Sequence, residues 1–203
     1  MIDLENIFSC WHEFKQGKMN KSDVLAFELK LEDSIFSLHS ELARQAYLHG
    51  PYSTFHIHDP KPRLISKALV KDRLVHHLVF KELYKIFNPS FIHHSYSSRE
   101  GKGTHLAVMD LSKSLRKASR NYTQPCFILK CDVKKFFQSV LHQKLLDIIK
   151  KRVKDERLLW LTELIIESFS SEEDKIPERE RERVKGLAHR QRDFADIFQH
   201  IFE

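Results

Sequence analysis

The chain has 203 residues, of which 41% are hydrophobic and 11% aromatic. This composition supports one sizeable core and excludes an intrinsically disordered chain. Lys and Arg outnumber Asp and Glu by 34 to 28, and the resulting net charge of +6 favours a polyanionic partner such as nucleic acid.

The cysteines and the apolar runs bear on the compartment in which the protein resides, and they favour the cytoplasm. Cys10, Cys126 and Cys131 form no CxxC pair, which argues against a disulfide framework or a zinc site and favours a reducing environment. The start, MIDLENIF, is acidic where a signal peptide would be basic, and the run LLWLTELII is too short to cross a bilayer. We therefore expect a cytoplasmic protein without a membrane partner.

Apolar periodicity predicts a chain of helices with a few short strands, which is an α+β fold. A helix over 2–16 is followed by one over 22–48, with Ser22 as its N-cap and Gly50-Pro51 as its stop. YSTFHIHDPKPRLIS alternates and contains prolines, so it predicts a hairpin of two short strands. Further along, the pattern predicts helices over 70–87, 104–119, 141–153 and 157–169, a loop over 95–105 and a strand over 126–132.

Asp132 is the first candidate for chemistry, because it ends the predicted strand in the stretch CFILKCDVKKFFQSV. A carboxylate at the end of a strand can hold Mg²⁺, which prefers carboxylate and phosphate oxygens. The alternative is an aspartate that caps the following turn. A two-metal site would need further ligands from elsewhere in the chain.

Several cations are candidates for phosphate contact. Lys61, Arg63 and Arg73 flank the predicted hairpin, where they could grip a triphosphate or form only a solvated basic edge. The loop GKGTH, which contains Lys102, runs into a helix start, with Thr104 as a candidate cap. Its backbone N–H groups could face a phosphate, or its glycines could serve the turn alone.

The adjacent histidine pairs, at 76–77 and 93–94, do not predict a zinc site. Neighbouring side chains on one element point in different directions, so each pair offers at most one inward ligand.

Four segments of the chain resemble, in their order and spacing, the successive blocks of a known enzyme family. RLIS (63–66), DRLVHHLV (72–79), IFNPSFIHHSYSSREGKGTH (86–105) and LKCDVKKFFQSVLHQKLL (129–146) resemble successive blocks of a bacterial retroelement reverse transcriptase, over roughly residues 50–187. The group II intron and diversity-generating types are both similar, and SYSSREGKGTH is closest to the latter. The resemblance implies an N-terminal helical segment over 1–50, then fingers and a partial palm over 51–187.

The resemblance also implies roles for single residues. Lys61 and Arg63 match the cations that grip the triphosphate of an incoming dNTP, and Asp132 matches the first catalytic aspartate. The carbonyl of Val133 would help to bind Mg²⁺, or Mn²⁺ in its place, and Phe137 matches the aromatic gate against a ribose 2′-OH. Arg73 and Lys102 would contact the RNA template or DNA primer, and a retroelement accessory protein is a further implied partner.

The family pattern is lost after KGL (185–187). A block such as GLPIGNLTSQ is expected there, followed later by YxDD, and no YxDD occurs in the printed sequence. If AHRQRDFADIFQHIFE is back-translated and read one base later, it can encode Pro-Ile-Gly-Asn-Val-Thr-Ser-Gln and a family-like continuation. We hypothesise that residues 188–203 are a frameshifted tail, and an unambiguous DNA sequence with incompatible codons after position 187 would disprove this.

Two functions follow as expectations. The first is a fragment of an RNA-directed DNA polymerase that is inactive by itself, because the YxDD carboxylates are missing. The second is a non-catalytic RNA-binding module with a fingers-like fold.

Overall fold

Residues 2–58, 62–132 and 140–169 are described by the structure, a computed structural model. They form seven α-helices and two strands, in agreement with the predicted α+β class. The helices are α1 (Leu4–Phe14), α2 (Ser22–Glu28), α3 (Leu31–Ala43), α4 (Val70–Phe87), α5 (Thr104–Ala118), α6 (His142–Arg152) and α7 (Glu156–Ser168). The strands are β1 (Ser53–His58) and β2 (Pro62–Lys67), and a 3₁₀ turn covers Asn88–Ser90.

These residues divide into two compact units, 2–84 with 149–169, and 85–132 with 140–148. Residues 188–203, assigned to a frameshifted tail, lie outside the described ranges. None of the helices within those ranges is long and apolar enough to cross a membrane.

The core of the first unit is built from one apolar face of each of its long helices. In this unit α1 and α2 both contact α3. The spacing of three, four or seven residues that predicted these helices also places their apolar side chains inside. Removing each large side chain from water contributes about 1.5–3 kcal/mol. The fully buried members include Ile7, Trp11, Ile35, Leu38, Leu74, Leu78, Leu161 and Ile165.

The segment predicted as one helix over 22–48 is two helices, α2 and α3. The second ends in a Schellman motif: the Ala46 N–H donates to the Glu41 carbonyl at 2.8 Å, and Gln45 adopts a φ of 54°. Gly50-Pro51 is therefore not what stops the helix. Ser22 is the first residue of α2 and not its cap, since the N-cap position is held by Lys21.

The predicted hairpin is confirmed for the described residues. β1 pairs with β2 in antiparallel register from Ser53 opposite Lys67 to His58 opposite Pro62. Every residue of β1 is exposed. A two-stranded hairpin of this kind is marginally stable by itself, so it depends on how its base is held.

The predicted strand over 126–132 is wrong. These residues carry neither helix nor strand, and the side chains of Phe127, Ile128 and Leu129 are exposed. The apolar pattern suggested a buried strand, but a strand forms only against a hydrogen-bonding partner. No such partner lies beside it among the described residues.

The base of the hairpin is held by Asp72, a fully buried carboxylate in the first turn of α4. Its Oδ1 accepts a 2.6 Å hydrogen bond from the Tyr47 hydroxyl, and its Oδ2 accepts a 3.1 Å bond from the Gly50 N–H. Burial, reinforced by the bond to Asp72, raises the pKa of Tyr47, so this hydroxyl remains a donor. Asp72 thus ties the segment before β1 to the helix that follows β2.

We predict that Tyr47→Phe lowers the free energy of unfolding by about 1–3 kcal/mol, because it leaves Oδ1 of Asp72 buried without its donor. Trp11 and Trp160 both lie in this unit, so their fluorescence during urea unfolding reports the change.

Tyr122→Phe is the matched control, because Tyr122 is 62% exposed. We expect it to change the unfolding free energy by less than about 0.5 kcal/mol. Equal effects of the two substitutions would contradict the role of the Tyr47–Asp72 bond.

Candidate nucleotide and nucleic-acid site

Of the two predicted triphosphate-gripping cations, the structure describes the backbone of one. Arg63 lies on β2 and pairs with Ile57 on β1. Lys61 lies outside the described ranges. The position of Arg63 on an exposed hairpin agrees with the sequence expectation, and its triphosphate role stays a prediction.

Arg73, a predicted nucleic-acid contact, is engaged inside the first unit. Its guanidinium forms an ion pair with Asp23 and lies 5.5 Å from the ring centroid of Phe14. Lys67 also contacts Asp23, with 2.7 Å between Nζ and Oδ2. Burial alone would raise the pKa of Asp23. The hydrogen bond from Lys67 and the charge of Arg73 outweigh burial and hold this pKa below its usual range. Contact between Arg73 and a phosphate would therefore compete with this pair.

Two histidines extend the polar network at the base of the hairpin. The His49 ring contacts the Gly50 carbonyl through Nδ1 at 2.6 Å and His76 through Nε2 at 3.0 Å. Because a carbonyl only accepts, His49 donates from Nδ1 to the Gly50 carbonyl. Burial, aided by the neighbouring charges of His49 and Arg73, lowers the pKa of His76 to about 3.

The adjacent histidines face different partners, as their spacing predicted. The His77 Nε2 lies 3.5 Å from Oε2 of Glu13, whereas His76 meets His49.

In the second unit, Arg99 shapes the loop between α4 and α5. Its Nε donates to Oδ1 of Asn88 at 2.8 Å, and its Nη1 donates to the carbonyls of Ile92 and Ser95 at 3.0 and 3.2 Å. The guanidinium also lies 5.5 Å from the ring centroid of Phe91. Sequence reasoning missed this residue, because nothing in a one-dimensional pattern identifies backbone carbonyls as partners.

Lys102 follows in the same loop, and its Nζ donates to the His93 carbonyl at 3.0 Å while lying 5.4 Å from the Tyr96 ring centroid. The N-cap of α5 is Gly103, not Thr104 as predicted. Its φ of 134° is a conformation that favours glycine, and it provides no side-chain acceptor for the first turn. The GKGTH glycines therefore shape the entry to α5.

Asp132 is exposed, and it is the last described residue of the irregular segment after α5. Val133 and Phe137, predicted to complete a metal shell and to screen the sugar, lie outside the described residues. Across the described ranges, no group of three His, Cys, Asp or Glu side chains is placed to hold a metal ion.

No protein-family model matches the chain, and no curated protein matches it.

We predict that the folded state loses stability as the pH falls from about 6.5 to about 3. The unfolded chain protonates His76 near its ordinary pKa of 6.5, whereas the folded chain resists protonation down to a pKa of about 3. Below pH 6.5 the free energy of unfolding falls by about 1.4 kcal/mol per pH unit for one such group, which amounts to about 2 kcal/mol at pH 5. Urea unfolding at a series of pH values measures this loss.

His76→Gln should flatten the pH dependence, and His58→Gln, at an exposed position of β1, should leave it as in the wild type. A parallel loss of stability in the wild type and His76→Gln would show that other groups cause it.

Proposed function

We propose that the chain comprises the fingers and the first palm segment of an RNA-directed DNA polymerase of the bacterial retroelement type. The observation that carries this proposal is the ordered series of four segments, from RLIS to LKCDVKKFFQSVLHQKLL. The described fold supports it through an exposed antiparallel hairpin that bears Arg63 and leads directly into α4.

The chemistry of such an enzyme sets what this chain can do. Nucleotidyl transfer uses Mg²⁺, or Mn²⁺, held by several carboxylates to stabilise charge on the attacking and leaving oxygens. Of those carboxylates the resemblance assigns Asp132 alone, and the printed residues contain no YxDD. We therefore propose that the 203 residues bind nucleic acid but do not join nucleotides.

The second candidate is a fingers-like RNA-binding module without catalysis. It is favoured by the positive net charge, which suits phosphate contacts and needs no metal site. The two candidates differ in what Asp132 does. As the remnant of a catalytic centre it contributes to a metal site, whereas in a binding module its charge has no role.

We predict that the purified chain binds single-stranded RNA and does not extend a primer. Binding should weaken steeply between about 50 and 200 mM salt, because phosphate contacts release counterions. Changing Lys61, Arg63 and Lys102 to Gln should lower the salt slope by up to about 2, at roughly 0.7 per lost contact. Fluorescence anisotropy and a primer-extension assay with Mg²⁺ and dNTPs measure the two activities.

Asp132→Asn is the control for both assays. It should leave RNA binding as in the wild type or slightly tighter, because it removes a negative charge. Template-dependent synthesis that Asp132→Asn abolishes would overturn the proposal that the chain is inactive. Failure to bind any RNA would overturn the nucleic-acid function itself.

A further inference from the structure

The C-terminal half of α5 carries a concentration of positive charge in the second unit. Lys113, Arg116 and Lys117 lie three and four residues apart, a spacing that places them on one side of a helix. Arg120 follows just beyond the helix, and all four side chains are exposed. We refer to these four residues as the basic end of α5.

Most of this charge is not neutralised. Lys113 has a 3.3 Å contact with Asp110, and its side chain remains 71% exposed. Arg116, Lys117 and Arg120 form no ion pair with any described residue. The helix dipole stabilises cations near a helix C-terminus, which explains why these side chains are favourable there. It does not occupy their outer N–H groups, which remain able to donate to a ligand.

The backbone after α5 adopts an unusual conformation. Arg120, Asn121 and Tyr122 have φ values of 45°, 62° and 67°, three left-handed residues in succession. A single left-handed residue suffices for the Schellman motif, in which the Asn121 N–H donates to the Arg116 carbonyl at 2.7 Å. Asn tolerates this region, whereas a bulky aromatic residue is strained there.

The buried Ser119 holds this turn in place. Its hydroxyl donates to the Leu115 carbonyl at 2.8 Å and accepts from the Tyr122 N–H at 2.8 Å. The second bond fixes the backbone of Tyr122, two residues after Arg120, and the tyrosine is 62% exposed. A strained backbone that carries an exposed aromatic residue directly after a basic helix end is an arrangement that suits ligand contact.

We propose that the basic end of α5 and Tyr122 form a binding surface for single-stranded RNA, in which the four cations contact backbone phosphates and the tyrosine ring stacks on an unpaired base. Cationic grooves with aromatic platforms bind single strands in this way. An unpaired base exposes the ring face that Tyr122 needs, whereas duplex RNA keeps its bases stacked. The inference rests on the proposed nucleic-acid function and assigns a surface to it.

Two other polyanions fit the surface less well. An acidic peptide would satisfy the cations but offers no π-face for Tyr122. An anionic membrane would require α5 to embed its opposite side, where Leu111 and Leu115 lie by the helical repeat. Leu115 is already half-buried, and the aromatic anchors of an interfacial helix are lacking on that side.

The test compares two fourfold variants of equal charge in binding a labelled single-stranded oligouridylate. We expect the change of Lys113, Arg116, Lys117 and Arg120 to Gln to weaken binding roughly tenfold or more and to lower the salt slope by about 2–3. The control changes Lys21, Lys30, Lys151 and Lys154, exposed cations outside the surface, to Gln. It should weaken binding only by about twofold.

Tyr122 is tested by two single substitutions. Tyr122→Asn removes the ring and retains a residue that tolerates the left-handed region, and we expect roughly fivefold weaker binding or more. Tyr122→Phe retains the ring and should bind as the wild type does. Circular dichroism of every variant verifies that its helix content is retained. If the fourfold variant unfolds, the single substitution Arg116→Gln replaces it in the binding test.

The outcomes of these experiments support or overturn the proposed RNA-binding surface. Equal weakening by both fourfold variants, or equal binding by Tyr122→Asn and Tyr122→Phe, would overturn this surface while RNA binding and the proposed function stand. Binding to anionic vesicles that the fourfold variant loses, with RNA binding retained, would identify a membrane surface instead. A chain that binds no RNA at all would overturn the proposed function and the surface together.

Discussion

The arrangement of the first unit depends on the buried carboxylate of Asp72. A charge without solvent costs several kcal/mol unless hydrogen bonds replace the lost water. The Tyr47 hydroxyl and the Gly50 N–H supply those bonds, and the first turn of α4 adds the favourable end of a helix dipole. Each partner comes from the segment that leads into β1. The carboxylate therefore joins the two ends of the hairpin region at one point.

Gly50 lies too close to the Asp72 carboxylate to leave room for a side chain. A Cβ at this position would lie 2.6 Å from Cδ1 of Leu69 and 2.9 Å from Oδ2 of Asp72. Any larger residue would force the side chain of Leu69 or the carboxylate of Asp72 to shift. The glycine is thus needed for space beside the carboxylate, and α3 ends earlier, at the left-handed Gln45.

The exposed parts of the molecule are the ones on which the functional proposals depend. The hairpin that bears Arg63 is exposed along β1, and α5 has no buried residue. In both places few apolar contacts fix the backbone, so specific polar bonds do so instead. Asp72 holds the base of the hairpin, Arg99 holds the loop before α5, and Ser119 holds the turn after it. Such elements are available to a partner because they contribute little to the core.

The amino-acid sequence determined the hairpin, the positive charge and the helices other than the division of 22–48 into α2 and α3, because apolar periodicity, proline placement and charge are local properties. It also supplied the ordered segments that resemble a reverse transcriptase. Only the tertiary structure decided which polar groups meet, such as Arg73 with Asp23 and His49 with His76, since these partners are far apart in the chain. It likewise decided that residues 126–132 form no strand, because a strand requires a neighbour that no local pattern can provide.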